Sequence, residues 1–238
     1  MLGLVCARGG SKGVPKKNLA VVAGAPLVAH TVLAHRVWGR ADRVVCSTDD
    51  EEIADAARAA GAEVPWLRPP ELAGDDVPKL AVIRHALEAC EADDGHEYPI
   101  VVDLDVSSPL RTVDDIEATV RVMLERGATN AFTVTPAHRN PYFNMVELTD
   151  EGFAALSKRL DSPVSSRQIA PQVYDMNASV YAYTREFVMT AAAVVGPRSV
   201  VHVMPPERSI DVDGPVDLVV LRALIDEGLA SFAQKDPR

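Results

Sequence analysis

Residues 1–18 read MLGLVCARGGSKGVPKKN, a short apolar run that breaks into a glycine-rich loop carrying Arg8, Lys12, Lys16 and Lys17. A run of this length ending in glycine reads as a buried strand, with the loop leaving its carboxyl end. The pattern repeats outward from there. PLVAHTVLAHRVW at 26–38 has helical spacing and is followed by the apolar RVVCST at 43–48, the amphipathic DDEEIADAARAAG at 49–61, then KLAVIRHALEAC and PIVVDLD. VDDIEATVRVMLERG, NAFTVT, ASVYAYT and SVVHVM continue the series, with a last helix from about Pro215. Pro26 suits a first helical turn, Asp49 or Asp50 can cap the second helix, and Gly61 follows as its stop. Strands alternating with helices predict an α/β fold with a mostly parallel central sheet.

With 238 residues, 47% hydrophobic and 24% charged, the chain suits one main domain with a sizeable core. No apolar run approaches the ~20 residues of a membrane span, and the amino terminus lacks a basic leader with a cleavage site, so the chain reads as cytoplasmic and mature from Met1. A net charge of -10 argues against a nucleic-acid polymer as partner. Cys6, Cys46 and Cys90 stand far apart without metal or disulfide spacing, and the six histidines have none either. Between about 136 and 175 the βα rhythm stops. Four prolines with aromatic, amide and basic residues there predict an inserted subdomain or lid.

In an open parallel sheet, ligands bind beyond the carboxyl ends of the strands, which singles out the loops at 7–18, 47–50, 105–111 and 206–213. Backbone N–H groups at Gly9, Gly10 and Gly13 can approach phosphate oxygens while Arg8 and Lys17 neutralise them. The alternative is a solvated basic turn. Neither the P-loop spacing nor the dinucleotide glycine fingerprint is present.

ARGGSKGVPKKN resembles the signature of the CMP-sugar synthetases that activate sialic acid and related nonulosonic acids. STDDEEIA (47–54), RPPELAGDD (68–76), SSPLRT (107–112), SSRQ (165–168), MNASVYAYT (176–184) and IDVDGPVDL (210–218) follow in that family's order, so the resemblance spans essentially the whole chain. It implies a Rossmann-like nucleotidyltransferase of one domain, 1–238, that uses CTP, releases pyrophosphate, works with Mg²⁺ and forms a homodimer through the inserted segment. The same resemblance places Arg8, Gly9, Gly10, Ser11, Lys12, Gly13, Lys17 and Asn18 on CTP, together with Arg68 and Ser108 in their blocks.

Attack of a sugar hydroxyl on the α-phosphorus builds charge on phosphate oxygens, so positioning and cationic stabilisation carry such a reaction. Arg8 and Lys17 are the candidate cations. Asp211 and Asp213, two apart on an extended segment, share one side and are the candidate Mg²⁺ ligands; the alternative for Asp213 is a turn and a helix cap only. In VVDLDVSSPLR, Asp105 stands where the family's commoner pattern has a glutamine that recognises the sugar acid. Its open roles are a metal ligand, an acceptor for sugar hydroxyls or an ammonium, or a base, and Asp103 is assigned mainly to structure. Arg111 suits a ligand contact or an internal salt bridge. Tyr142, Arg167, Gln168 and Asn177 complete the expected acceptor side, with Ala178 in place of a usual glycine tightening the space. Competing readings are another acid acceptor, such as a phosphonate or an eight-carbon ulosonic acid, and a non-catalytic nucleotide-binding module.

Overall fold

The computed structural model describes residues 1–162 and 166–233. Strand β1 (Leu2–Cys6) leads through the glycine loop into a small hairpin, β2 (Val21–Val22) and β3 (Ala25–Pro26), and then helix α1 (Leu27–Trp38). Next come β4 (Arg43–Ser47), α2 (Glu51–Ala60), α3 (Lys79–Asp94), β5 (Ile100–Leu104), α4 (Val113–Glu125) and β6 (Asn130–Pro136). A second hairpin, β7 (Val146–Leu148) and β8 (Ala154–Leu156), precedes β9 (Tyr174–Thr184), α5 (Arg185–Thr190), β10 (Ser199–Val203) and α6 (Pro215–Asp226).

Six strands form one sheet in the order β10-β6-β9-β5-β1-β4. β1 pairs in parallel with β4 and β5, and β10 with β6. Helices cover both faces of these strands, which is why β1 is apolar throughout: Leu2, Leu4 and Val5 are wholly buried, each contributing about 1.5–3 kcal/mol relative to exposure. α2 shows how local chemistry sets an element. The Asp50 carboxylate accepts from the N–H groups of Glu52 and Ile53, Ile53, Ala54 and Ala57 turn inward, and Gly61 ends the helix at φ 95°.

The expected mostly parallel sheet holds, with one reversal. β9 runs antiparallel to both β5 and β6. No α-helix among the described residues separates β6 from β9, and parallel pairing needs a crossover, usually an α-helix, whereas a returning strand pairs with its predecessor in the antiparallel sense. β9 also begins at Tyr174, inside the stretch expected to be irregular. Its register against β6 shifts between Phe132 and Val134, and Ala178 opposite that bulge adopts φ 47°. There the Thr133 hydroxyl accepts from the Val180 N–H at 3.0 Å and donates to Asn177 Oδ1 at 2.7 Å. The requirement at 178 is therefore a left-handed backbone, which favours glycine through conformation rather than space.

Candidate active site

The carboxyl ends of β1, β4 and β5 lie side by side, and their loops meet the segment that follows β10. Gly9 donates its N–H to Asp49 Oδ1 at 3.0 Å, and Asn18, buried, closes the loop by donating to the Arg8 carbonyl at 2.9 Å. Gly13 lies against the backbone of Asp213 so closely that a Cβ there would fall 1.8 Å from the Asp213 carbonyl oxygen. Lys17 crosses the same junction, donating to the Val212 carbonyl at 2.6 Å and standing 3.4 Å from Asp213 Oδ1. Arg8 pairs with Asp75 at 2.7 Å, and Lys12 pairs with the other oxygen of that carboxylate. Lys12, foremost, and Arg8 hold the Asp75 carboxyl below its usual range.

The loop after β1, Arg68, the stretch 72–82 and Asp105 border a cavity of about 280 Å³, and Asp211 and Asp213 are not on its lining. Arg8, Ser11, Lys17, Asn18, Arg68 and Asp105 line it, so six of the residues picked from sequence converge on one space. Leu72, Val77 and Val82 give it an apolar wall. Arg68 is buried and its guanidinium is held by Ser47, through Nε to the hydroxyl at 3.0 Å and Nη2 to the carbonyl.

Lys79 also lines the cavity, and sequence reasoning did not select it. Its ammonium lies 2.8 Å from Asp103 Oδ2, 2.8 Å from Asp105 Oδ2, and 4.2 Å from the centre of the Tyr181 ring. Burial opposes its charge, but Asp103 and Asp105 outweigh that and hold its pKa well above the ordinary value. For Asp105, burial is likewise overcome, chiefly by Lys79, and its carboxyl sits below the usual range. The other Asp105 oxygen accepts from both the N–H and the hydroxyl of Ser107 at 3.2 Å.

Ser107 joins this group to the candidate metal segment, because its carbonyl accepts the Val212 N–H at 2.8 Å. Asp211 has a buried Oδ1 with no hydrogen-bond partner. Burial first, and then the charges of Asp213 and Asp105, raise its carboxyl above the normal value, with Ser107 opposing them. A solvated hard cation relieves both conditions, so Asp211 suits Mg²⁺. Asp213 is 79% exposed at its side chain and is not the cap of α6. That role belongs to Asp217, whose Oδ2 accepts from the Asp213 and Gly214 N–H groups at 3.0 and 2.7 Å. Among the described residues no group of three or more His, Cys, Asp or Glu side chains is placed to hold a metal. Two carboxylates completed by water and phosphate oxygens are the ordinary Mg²⁺ arrangement in phosphoryl-transfer sites.

Other expected contacts lie elsewhere. Arg111 is wholly buried and does not line the cavity. Its guanidinium donates to the carbonyls of Asp105 and Ser108 and, at 3.1 Å, to the Ser179 hydroxyl, so it braces the loop from behind rather than facing a ligand. Burial brings its pKa down to about 10. Ser108 is equally buried and offers its carbonyl to Arg111 and Ser179. Asn177 is buried too, donating to the Ser209 hydroxyl at 2.9 Å, and so ties β9 to the loop before Asp211. Gln168 lines a separate cavity of about 330 Å³ with Asn140 and Pro171, where the insertion leaves the sheet. Tyr142 lies in the insertion with Lys158 5.7 Å above its ring. The side chain of Arg167 lies outside the described residues.

The family model described as Cytidylyltransferase matches residues 2–195. Post-translational flagellin modification protein B of Campylobacter coli is 35% identical over 223 residues, 94% of each chain. CMP-N,N'-diacetyllegionaminic acid synthase of Campylobacter jejuni is also 35% identical, over 98% of this chain and 97% of its own. Among solved structures, a CMP:2-keto-3-deoxy-manno-octonic acid synthetase complexed with CTP superposes with a TM-score of 0.67 at 17% identity, covering 95% of this chain and 98% of the other.

Proposed function

The chain belongs to the cytidylyltransferase family, and from that premise we propose that it transfers CMP from CTP to a nonulosonic sugar acid of the sialic, legionaminic or pseudaminic type, releasing pyrophosphate. One observation carries the reading: Arg8 and Lys17 of the glycine loop line a cavity together with Asp105, and Lys17 reaches from it to the Asp211–Asp213 segment through the Val212 carbonyl and Asp213 Oδ1. The legionaminic acid synthase similar over nearly the whole chain supports the acceptor class.

In this reading the acceptor hydroxyl oxygen bonds to the α-phosphorus, the bond from that phosphorus to the bridging oxygen breaks so that pyrophosphate leaves with its electron pair, and the hydroxyl proton passes to water. Arg8 and Lys17 stabilise charge on the phosphates. The loop backbone, fixed by Asn18 and Asp49, sets their position, so little reorganisation is needed in the transition state. Mg²⁺, held by Asp211 and Asp213, would supply neutralising charge for the phosphates. Asp105 is the acceptor-facing carboxylate. An ionised carboxylate only accepts hydrogen bonds, so it suits a hydroxyl, an N–H or an ammonium of the sugar.

The homodimer is part of the proposal. Val146, Leu148 and Phe153 on the second hairpin are 61%, 74% and 69% exposed, an apolar face of the kind a second subunit covers. No helix among the described residues is long and apolar enough to cross a membrane. The free thiols of Cys46 and Cys90 suit the reducing cytoplasm, where we place the enzyme.

The deciding experiment incubates the purified protein with CTP, Mg²⁺ and a panel of nonulosonic, eight-carbon ulosonic and phosphonic acids, reading pyrophosphate release and the mass of the CMP product. A CMP-nonulosonate is expected. Turnover confined to a phosphonate or an eight-carbon acid would replace the acceptor class, and CTP binding with no turnover on any acid would make the chain a nucleotide-binding module.

A further inference from the structure

Among the described residues, Lys79 is the cavity cation whose two ion pairs reach back to the end of the sheet strand β5. Asp103 is wholly buried at the end of β5 and Asp105 lies just past it, so without a counter-charge this strand end would carry two uncompensated carboxylates. The first residue of α3 supplies the cation. One ammonium spans both carboxylates at 2.8 Å, and the Tyr181 ring closes its remaining side at 4.2 Å. With its charge engaged on three sides, Lys79 is poorly placed to bind phosphate. Its effect falls on Asp105, which it fixes through Oδ2 while Ser107 fixes Oδ1.

Ser107 in turn holds the segment of Asp211 through Val212, so the clamped carboxylate sits beside the candidate reacting centre. Free of the clamp, Asp105 would be repelled by the negative charge gathered at Asp211 and Asp213. We propose that Lys79 is a positioning residue that holds the Asp105 carboxylate toward the acceptor, making a hydrogen-bond donor on the acceptor a requirement of this site. The acceptor side of this inference rests on the proposed function. The clamp itself does not.

Removing Lys79 alone would strand the buried Asp103 charge and threaten folding. The working variant is therefore Lys79→Met/Asp103→Asn, which deletes the buried pair together and leaves Asp105 unclamped, with Lys79→Arg as the conservative partner. Michaelis constants are measured with N,N'-diacetyllegionaminic acid at saturating CTP, CTP affinity is measured by calorimetry without acceptor, and the variant's crystal structure is determined. Expected are a rise of about tenfold or more in acceptor KM, a change in CTP Kd of less than about threefold, substantial recovery in Lys79→Arg, and a displaced Asp105 carboxylate. Equal effects on acceptor and CTP, or an Asp105 that keeps its place, would overturn the proposal. If the wild type uses no acid at all, the proposed function falls, and the position of Asp105 in the variant structure still decides the clamp.

Discussion

Replacing Gly13 by alanine tests the junction on which the candidate active site depends. The glycine does not adopt a left-handed backbone, so alanine is not conformationally strained there. What it meets is a backbone: its Cβ would stand 1.8 Å from the Asp213 carbonyl oxygen and 3.0 Å from the carbonyl carbon. Real Cβ contacts essentially never fall under 3.0 Å, so the glycine loop and the 212–214 segment must part by more than an ångström. Lys17, four residues on, then loses its 2.6 Å bond to the Val212 carbonyl and its place beside Asp213. Misplacing reacting groups by about 1 Å costs on the order of 10²-fold in rate, or about 2.7 kcal/mol of transition-state stabilisation. Overpacking should remove about 1–3 kcal/mol of stability. The assay is initial-rate pyrophosphate release with CTP varied, alongside thermal unfolding without ligand. Gly10→Ala is the control for stability, because a Cβ there meets nothing within 4 Å. Its unfolding should match the wild type, whereas any effect on CTP would report phosphate approach to the loop. Should Gly13→Ala retain kcat/KM within about threefold of wild type, contact between the two segments is unnecessary for catalysis and the convergence argued above is wrong.

Three further outcomes follow from particular side chains. Ala178→Gly removes a left-handed alanine at φ 47°; the relief, less the greater entropy of glycine in the unfolded chain, should stabilise by about 0.5–1 kcal/mol, and an unchanged or lower melting temperature would contradict it. His35 is buried in α1 with Nε2 donating to the Leu4 carbonyl, and burial pushes its pKa down to about 4 from 6.5. Between those values the unfolded chain binds more protons, so the stability present above pH 6.5 falls as pH drops toward 4, by up to about 3 kcal/mol; urea unfolding from pH 7.5 to 4.5 should show this slope in the wild type and a shallower one in His35→Gln. Asp211→Asn and Asp213→Asn should each lower kcat by about 10³-fold or more with little loss of CTP affinity measured without Mg²⁺, and near-normal turnover in either would remove that residue from the metal site.

What the sequence disclosed and what it hid divide along the range of the interactions. The glycine loop, the cap at Asp50 and the pair in IDVD are made by neighbours within a few residues, and such local chemistry is readable before any contact map exists. β9 was less legible because its reversal depends on the absence of a crossover helix in a long irregular stretch, and its early start at Tyr174 depends on pairing with Pro136. Lys79 opens a helix and looks in isolation like a solvated lysine. Its partners, Asp103 and Asp105, lie on a separate strand, though two aspartates in an otherwise apolar VVDLDV were a signal that a cation must be found for them. Arg111 left a ligand contact and an internal salt bridge equally open, and its guanidinium instead lies wholly buried against loop carbonyls, partners that no sequence pattern announces.

The same partners explain how an acidic chain carries so basic a loop. Arg8 and Lys12 share Asp75, Lys16 lies 2.6 Å from Glu52, and Lys17 faces Asp213, so the loop's four cations are met by carboxylates from three other segments. The loop is thus balanced rather than an open positive patch, and its folded shape does not depend on an anion to relieve repulsion among its own charges. Under the proposed function, a triphosphate arriving there would exchange partners with Asp75 and Asp213 instead of neutralising free cations. The two exchanges would differ: giving up Asp75 would release a carboxylate at the cavity, whereas giving up Asp213 would release one two residues from Asp211, whose Oδ1 has no hydrogen-bond partner. Under the proposed function, Lys17 would leave Asp213 as it turned to phosphate, so one lysine would link the nucleotide and cation ends of the site.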